Sequence, residues 1–201
     1  MSTLDARGLR IERGGRTLVD GFDLTVGPGE TVAVTGPSGS GKTSLLAALS
    51  GLTPPEAGRV TVGGEPVATH ELGVVLQGYG LVSLLTASEN VEVALRAKGH
   101  EPSESRESAA AALDEVGLAE QVDHLVEELS GGQQQRVAVA RALAIHPDIL
   151  IADEPTAEQD EATRGKVLER LFAVADRGGT LILATHDPLV AERCDVQIRI
   201  G

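Results

Sequence analysis

The stretch "GPSGSGKT", Gly36 to Thr43, decides the fold of this chain. It fits the pattern G-x-x-x-x-G-K-[ST], and it lies between the apolar run "TVAVTG" and the helix-like run "KTSLLAALSG". Gly39 and Gly41 let the backbone curl until its N–H groups converge on phosphate oxygens, and the helix that follows adds its positive end. The sequence therefore predicts a phosphate-binding loop at the junction of a buried strand and a helix.

The side chains of this loop predict MgATP as the ligand. We expect the Lys42 ammonium to contact the β- and γ-phosphates and the Thr43 hydroxyl to ligate Mg²⁺, a cation that prefers oxygen ligands. The alternative is a flexible glycine turn before an ordinary helix, and the full match in this context disfavours it. The residues expected to bind the nucleotide here are Gly36, Pro37, Ser38, Gly39, Ser40, Gly41, Lys42, Thr43 and Ser44.

An apolar strand with two acids at its end predicts the second half of the site. In "ILIADEP", an apolar run precedes Asp153 and Glu154, and the carboxyl ends of strands are where α/β sheets bind ligands. We expect Asp153 to hold the Mg²⁺ shell and Glu154 to orient and deprotonate an attacking water. The alternative is a solvated strand–loop junction, which the nearby phosphate loop disfavours.

Two further polar residues follow apolar runs. His186, after "TLILAT", can donate to a γ-phosphate and help to hold the water, or it is an ordinary loop or capping histidine. Gln77, after "GVVL", can ligate Mg²⁺ or sense the γ-phosphate, or it is an ordinary polar loop residue. The predicted catalytic residues are Glu154, His186 and Gln77, and the predicted metal ligands are Thr43, Gln77 and Asp153.

Composition limits the classes of protein and the compartment. The 201 residues suffice for one domain with an aliphatic core, since 41% are hydrophobic and 1% aromatic. A net charge of −13 without a basic stripe argues against nucleic-acid binding. The single cysteine, Cys194, fits a reducing compartment, and no apolar run approaches the roughly 20 residues of a membrane span. We expect a cytoplasmic chain that reaches a membrane only through a partner.

The order of the patterns predicts the fold class. Partly alternating runs near the N-terminus indicate antiparallel strands, helical spacing follows up to about residue 128, and the final third alternates helices with apolar strands. We expect an α/β phosphate-loop NTPase core with a mixed sheet, an N-terminal antiparallel β subdomain and an inserted α-helical subdomain. In this single domain, 1–201, residues 1–77 and 149–201 would form the nucleotide-binding core with its β subdomain, and residues 78–148 the helical subdomain.

The stretch "LSGGQQQR", which begins at Leu129, is a second glycine-rich helix start. Ser130 and Gln133 fit a capping box, which is the purely structural interpretation. Gly131 and Gly132 do not follow from it, because each glycine in a first helical turn costs about 1 kcal/mol relative to alanine. Glycines would let a phosphate approach the backbone N–H groups closely. We therefore infer that this helix start covers a nucleotide held by a second copy of the protein.

The chain resembles the nucleotide-binding subunits of ATP-binding-cassette (ABC) transporters. The phosphate loop, the glutamine of "VLQGYG", the signature "LSGGQQQR", the acidic "LIADEP" and the histidine of "ATHD" occur in that family's order and approximate spacing. The resemblance covers essentially the whole chain, and other phosphate-loop ATPases lack the signature. The run "LQGYGLVSLLTASENVEVAL" and the triple glutamine are most similar to the lipoprotein-releasing and macrolide-export branch.

This resemblance implies an ATPase that forms a head-to-tail homodimer or heterodimer with two ATP molecules at the interface. Closure on ATP and reopening after hydrolysis would drive integral membrane permease subunits, at the inner face of the cell membrane. Residues implied at the interface are Ser130, Gly131, Gly132 and Gln133, which would contact the partner's ATP, and Asp160. Residues implied to contact a cytoplasmic helix of the permease, unless they form the core of the helical insertion, are Tyr79, Leu81, Val82, Leu84 and Leu85.

The chain departs from the family pattern at two places. The first strand region reads "IERGGRT" without the aromatic residue that usually stacks on adenine, so Arg13 or Arg16 would stack through its guanidinium plane. Gln159 stands where the family usually has leucine. The same motifs also suit a regulatory ABC subunit that signals through a membrane partner without transport. They suit as well a soluble ABC ATPase of DNA repair or translation, against which the acidic charge and the single cassette argue.

Overall fold

Two β-sheets organise the chain, whose computed structural model describes residues 2–201. The elements in chain order are β1 (Leu4–Arg13), β2 (Arg16–Val26), β3 (Thr31–Thr35), α1 (Lys42–Leu49), β4 (Ala57–Val62), β5 (Glu65–Pro66), β6 (Gly73–Val75), α2 (Ala87–Ala97), α3 (Pro102–Glu115), α4 (Gly131–Ala144), β7 (Ile149–Asp153), α5 (Glu161–Asp176), β8 (Thr180–Ala184), α6 (Pro188–Glu192) and β9 (Val196–Arg199). Short 3₁₀ turns occupy residues 69–71, 119–121 and 126–128.

The N-terminal sheet is antiparallel, with the strand order β2-β1-β4-β5. Strands β1 and β2 are joined by Gly14 and Gly15, whose φ values of 57° and 77° suit the two-residue turn that matches the twist of a hairpin. Arg13 pairs with Arg16 across this turn. Leu4 and Leu9 of β1 point into the core, while exposed residues such as Arg10 lie between the buried ones. This sheet therefore has one face on the core and one in solvent.

The central sheet is parallel, with the strand order β6-β7-β8-β3-β9. Every residue of β7 and β8 is buried, as expected for parallel strands covered on both faces. Because neighbouring residues of a strand point to opposite faces, the sheet separates two hydrophobic cores. Leu150 and Leu183 join the core that contains residues of α2 to α5. Ile151 and Ile182 join the core that contains α1 and the antiparallel sheet.

Helices α2, α3 and α4 lie between β6 and β7 in the chain and pack against one another. Thr86 and Glu89 form a capping box at the start of α2. Pro102 is the first residue of α3, where a missing N–H costs nothing because no helical acceptor exists for it. Local signals thus set the starts of these helices, and their buried faces form the larger part of the first core.

The predicted α/β fold, with its N-terminal antiparallel sheet and its helices between core strands, is confirmed. In place of one mixed sheet, the structure has two sheets: an antiparallel N-terminal sheet and a central sheet whose strands are all parallel. Parallel strands are normally buried on both faces, and only strands of the central sheet are covered on both faces. The predicted subdomain boundaries at residues 77 and 149 stay a prediction. None of the helices in residues 2–201 combines the length and hydropathy that crossing a membrane requires.

Candidate active site

The phosphate-binding loop runs from the end of β3 to the start of α1. Gly36, Gly39 and Gly41 have φ values of 147°, 77° and 105°, a region that other residues rarely adopt. Gly41 is the N-cap of α1, which has no side-chain cap and no acidic residue in its first turn. The first N–H groups of α1 are therefore available to bind an anion.

Gly36 is also required by packing against the last residues of the chain. A Cβ at this position would overlap the carbonyl oxygen of Ile200 and lie 2.9 Å from Ser40 Oγ. The Ile200 N–H donates to Thr35 O at 2.9 Å, so the segment after β9 packs directly against the loop. Ser40 Oγ is buried there and has no hydrogen-bond partner among residues 2–201. The side chain of Ser40 therefore lies inside the loop, close to Gly36 and Gly201.

Lys42 lies with its charge inside the curl of the loop. Its Nζ donates to Gly36 O at 2.8 Å and to Pro37 O at 3.1 Å. These two carbonyls hold the ammonium close to the N-terminus of α1. The lysine charge and the helix end together make a site for a multiply charged anion such as a triphosphate.

Thr43 and Asp153 meet between the loop and the end of β7. Thr43 Oγ1 donates to Asp153 Oδ2 at 2.5 Å, and Asp153 is 5% exposed. Burial raises the pKa of Asp153, the hydrogen bond from Thr43 opposes this, and the neighbouring Glu154 carboxylate raises it further. A carboxylate that has lost its water in this way is stabilised by a bound cation. The hydroxyl and carboxylate oxygens are the donor type that Mg²⁺ prefers.

Glu154 and His186 form the second polar pair. Glu154 Oε2 accepts from His186 Nδ1 at 2.8 Å, because the parallel pairing of Asp153 with Ala184 brings the ends of β7 and β8 together. Glu154 has a φ of 48°, and this left-handed conformation costs about 1–2 kcal/mol for a residue other than glycine. Its N–H donates to Ala184 O at 3.0 Å. A carboxylate held in this way is suited to take a proton from a water molecule.

One open cavity of about 1090 Å³ brings these groups together. Its lining includes Gln77, Asp153, Glu154 and His186 together with every residue of 36–44 except Ser40. The predicted site residues, apart from the signature and Asp160, come from four separate segments, which meet at the carboxyl edge of the parallel sheet. Of the two arginines considered for adenine, Arg13 lines the cavity and Arg16 lies outside its described lining.

Residues 130–133 of the signature stretch, at the start of α4, lie apart from this cavity. Ser130 Oγ accepts from Gln133 N at 3.3 Å, and Gln133 Oε1 accepts from Ser130 N at 2.8 Å, so the predicted capping box is confirmed. Among the described residues, none of 130–133 lines the cavity, and Ser130 and Gly131 are exposed. A contact of this helix start with a nucleotide of another molecule stays a prediction.

The structure corrects the argument that only a second molecule accounts for the two glycines of the signature. A Cβ on Gly132 would lie 2.6 Å from the carbonyl oxygen of Glu158, which is backbone and cannot easily yield. A Cβ on Gly131 would overlap the Glu158 carboxylate, which is the mobile end of a side chain. Gly132 is therefore required by packing within its own chain, whatever else it contacts.

Asp160 has a role of its own at the start of α5. Its Oδ1 accepts from Thr163 N at 3.0 Å and its Oδ2 from Thr163 Oγ1 at 2.7 Å. The hydrogen bonds from Thr163 lower the pKa of Asp160. Asp160 is thus an N-cap, and its expected place at a dimer interface stays a prediction.

Two polar residues of the lining, Gln135 and Glu158, were given no role from the sequence, although Gln135 lies within the signature. Gln135 is 3% exposed, and its Nε2 donates to Glu154 O at 2.7 Å. Glu158 accepts a hydrogen bond from Tyr79, whose pKa is raised to about 12 by burial and by this hydrogen bond. A signal for Gln135 was present, since it lies on the buried face of α4 one turn before Val139, where a polar residue needs a partner. Glu158 lies in an irregular loop that offers no such signal.

The segment after Gln77 was expected either to contact the permease or to form part of the internal core, and the structure supports a different interpretation for each half. Tyr79 and Leu81 are partly buried and pack against the first core, and Arg141 of α4 donates to Tyr79 O at 2.6 Å. Val82 and Leu84 are 52% and 74% exposed. The first part of the segment therefore belongs to the internal core, and the second part is free to contact another molecule.

Comparisons with known sequences point to one family. Residues 19–157 match the family model described as ABC transporter. The Escherichia coli (strain K12) protein named "Uncharacterized ABC transporter ATP-binding protein YbbA" is 43% identical over 197 residues, which cover 92% of this chain and 86% of that protein. The Mycobacterium tuberculosis (strain H37Rv) protein named "Uncharacterized ABC transporter ATP-binding protein Rv2564" is 42% identical over 180 residues, which cover 84% of this chain and 54% of that protein.

Solved structures give the same answer for the fold. The structure described as "Dimeric structure of a post-hydrolysis state of the ATP-binding cassette MJ0796 bound to ADP and Pi" superposes with a TM-score of 0.92 at 32% identity, covering 98% of this chain and 94% of that one. A second structure, "Dimeric Structure of MJ0796, a Bacterial ABC Transporter Cassette", has a TM-score of 0.90 at the same identity and coverage.

Proposed function

We propose that Glu154 activates the water that attacks ATP in this cavity. The premise is that this chain belongs to the ABC transporter family and is an ATP-binding and ATP-hydrolysing subunit of it. The observation that carries the proposal is the 2.8 Å contact between Glu154 Oε2 and His186 Nδ1 in a cavity that also contains the phosphate loop. A base, a histidine and an anion site would thereby surround one substrate phosphate.

The phosphate loop would bind the triphosphate. The N–H groups at the start of α1 would face an anion without an acidic residue in their own helical turn. Lys42 would exchange its hydrogen bonds to Gly36 O and Pro37 O for phosphate oxygens, because a charged acceptor makes the stronger hydrogen bond. Binding would therefore place the γ-phosphate between the loop and Glu154.

Three residues would hold a magnesium ion. Thr43 and Asp153 already converge at 2.5 Å, and Gln77 offers an amide oxygen to the same cavity. This all-oxygen donor set fits Mg²⁺, which uses few protein ligands together with water and substrate phosphates. When bound, the ion neutralises charge on the β- and γ-phosphates.

Glu154 would take a proton from the attacking water, and His186 would hold both in place. The Nδ1 of His186 is engaged by Glu154, which leaves its Nε2 for the γ-phosphate. The His186 side chain is 72% exposed, so that nitrogen is accessible to a ligand. One histidine can thus orient the base and the group that the water attacks.

The transport step would lie outside this chain. Both MJ0796 structures are described as dimeric, and we propose that two copies, or this chain and a homologous subunit, close around two ATP molecules. The signature residue Ser130 would then contact the partner's ATP, and closure would move integral membrane permease subunits at the inner face of the membrane. The exposed Val82 and Leu84 are the proposed contact with those subunits.

The variant Glu154→Gln tests the role of the base. An amide keeps the shape of the side chain but cannot accept the proton, so we expect ATP to bind with wild-type affinity, hydrolysis to fall by about 100-fold or more, and a lasting ATP-bound dimer to form. ATP turnover and size-exclusion chromatography with MgATP measure these outcomes. The control is Glu161→Gln, an exposed acid on α5, which should hydrolyse ATP at the wild-type rate. Wild-type turnover in Glu154→Gln would remove Glu154 from this role.

A further inference from the structure

We propose that Gln135 is a positioning residue for Glu154, and that it links the backbone conformation of Glu154 to the first turn of α4 in the same chain. This inference rests on the proposed role of Glu154 as the base. Gln135 itself is buried on α4, and its side chain acts on the backbone of Glu154 and not on the substrate.

The amide of Gln135 is engaged at both ends. Its Nε2 donates to Glu154 O at 2.7 Å. Its Oε1 accepts from Gln159 Nε2 at 3.0 Å and from Glu158 N at 3.4 Å. A buried amide that satisfies donor and acceptor in this way has a fixed orientation, since rotation or loss of either partner would leave a polar atom unpaired.

Glu154 is held by its backbone on two sides. On one side its N–H donates to Ala184 O of β8 at 3.0 Å, and on the other its carbonyl accepts from Gln135 and from Ala157 N at 3.2 Å. These bonds maintain a φ of 48°, which a glutamate does not adopt without support. The direction of the Glu154 carboxylate toward His186 follows from that backbone conformation. Without the bond from Gln135, the backbone of Glu154 could relax to another conformation, and the carboxylate would no longer point toward His186.

The same amide reaches the signature through Gln159. The Nε2 of Gln159 donates to Gly132 O at 2.8 Å as well as to Gln135 Oε1. Gly132 lies in the first turn of α4 and packs closely against the backbone of Glu158. A leucine at position 159 could make neither bond, so this chain has a polar link where the family pattern has an apolar residue. A shift of the first turn of α4 would therefore be transmitted to Glu154.

The variant Gln135→Met tests the proposal in the full chain. Methionine has nearly the same length and volume but neither donates nor accepts these bonds, so we expect kcat for ATP hydrolysis to fall by about 10- to 100-fold, as for a small misplacement of a reacting group. The KM for ATP and the Kd of MgATP should stay within about twofold, because Gln135 is 3% exposed and both ends of its amide are engaged within the protein. The conservative variant Gln135→Glu keeps the acceptor but loses the donor, and it should lose as much kcat as Gln135→Met.

A neighbouring glutamine provides the matched control. Gln134 Nε2 donates to Val126 O at 3.0 Å and to Leu129 O at 2.9 Å, so Gln134→Met removes bonds of the same kind from the same helix without touching Glu154. We expect Gln134→Met to lower the unfolding midpoint about as much as Gln135→Met does while leaving kcat near wild type. If the two variants lose kcat in parallel with their unfolding midpoints, Gln135 is only structural and the proposal is overturned.

The variant Glu154→Gln, measured in parallel, separates this inference from the proposed function. Slow turnover in Glu154→Gln together with wild-type kcat in Gln135→Met would overturn the positioning role alone. Wild-type turnover in Glu154→Gln would overturn the role of the base, and the positioning role with it. The variant Gln159→Leu should show a smaller loss of kcat than Gln135→Met, because the donor to Glu154 O remains while the acceptor loses one partner. A larger loss of kcat in Gln159→Leu than in Gln135→Met would show that Gln159 does not act through Gln135, and it would overturn this part of the proposal.

Discussion

Arg13 brings a planar guanidinium to the wall of the nucleotide cavity, at the hairpin between β1 and β2. Its Nη1 lies 3.4 Å from Ser44 Oγ, in the first turn of α1. Tyr79 is the one aromatic residue among the described residues that line this cavity, and its hydroxyl is bonded to Glu158. We therefore favour Arg13 over Arg16 as the residue that stacks on adenine, since a guanidinium plane can take the place of an aromatic ring.

The variant Arg13→Ala should weaken ATP binding by about two- to fivefold. This change corresponds to a loss of about 0.5–1 kcal/mol, the free energy of an exposed cation–π contact. Binding of inorganic tripolyphosphate, which has no base to stack, should change less, and isothermal titration calorimetry measures both ligands. Arg16→Ala is the matched control and should bind ATP as the wild type does. An equal loss for ATP and tripolyphosphate would show that Arg13 acts on the phosphates and not on adenine.

At the scale of elements, the start of α4 combines three tasks in one turn. It carries the capping box of Ser130 and Gln133, it packs against Glu158 through Gly132, and its free N–H groups are proposed to face a phosphate of another molecule. Because Gly132 is needed inside the chain, a bulky substitution there would disturb the fold as well as any dimer. Ser130 is the better position for a test, since it is exposed and its capping role can be preserved.

The variants Ser130→Asp and Ser130→Asn form a matched pair in the Glu154→Gln background. Both residues are good N-caps, and a carboxylate at a helix N-terminus also favours the helix. Only Asp places a negative charge where the partner's γ-phosphate is proposed to lie, so Ser130→Asp should abolish the ATP-induced dimer and Ser130→Asn should retain most of it. Sedimentation velocity with MgATP measures the dimer, and monomeric ATP affinity should be equal in both. Equal dimerisation would show that this turn does not face a phosphate.

At the scale of the whole molecule, the chain has an acidic surface with few exposed large apolar side chains. Val82 and Leu84 are two of those among the described residues, and they follow a loop segment that is anchored to α4 through Arg141 and to Glu158 through Tyr79. A contact at Leu84 is therefore connected by a short physical path to the cavity wall. We propose that this connection passes movement between the nucleotide site and the proposed membrane subunit.

The variant Leu84→Glu should separate the chain from its membrane partner. A charge in an apolar contact carries a desolvation cost, so the fraction of tagged chain that sediments with membranes of its own host should fall severalfold. Binding of ATP by the purified chain should not change. Leu189→Glu on α6 is the control, since Leu189 is similarly exposed at 69%. Equal membrane association of both variants and the wild type would exclude Leu84 from the contact.

Much of the fold could be predicted because it depends on local chemistry. The φ values of Gly36, Gly39 and Gly41 strongly favour glycine, and the three glycines are visible in the sequence as a spacing. Continuous burial of β7 and β8 appears as unbroken apolar runs. Ser130 and Gln133 satisfy one another within a single turn. In each of these features the residues that interact are close in the chain, so a short window of sequence contains both partners.

Only the tertiary structure decided which distant groups meet. Gln135 reaches the carbonyl of Glu154, and Gly132 packs against the backbone of Glu158. It also showed that Arg13 lines the cavity and Arg16 lies outside the described lining, and it divided the segment after Gln77 into a partly buried and an exposed part. The sequence by itself determined the phosphate loop, the acidic strand end and the family to which they point. The rest depended on the order of strands in the sheet, because that order, and not periodicity along the chain, sets the contacts between segments far apart in sequence.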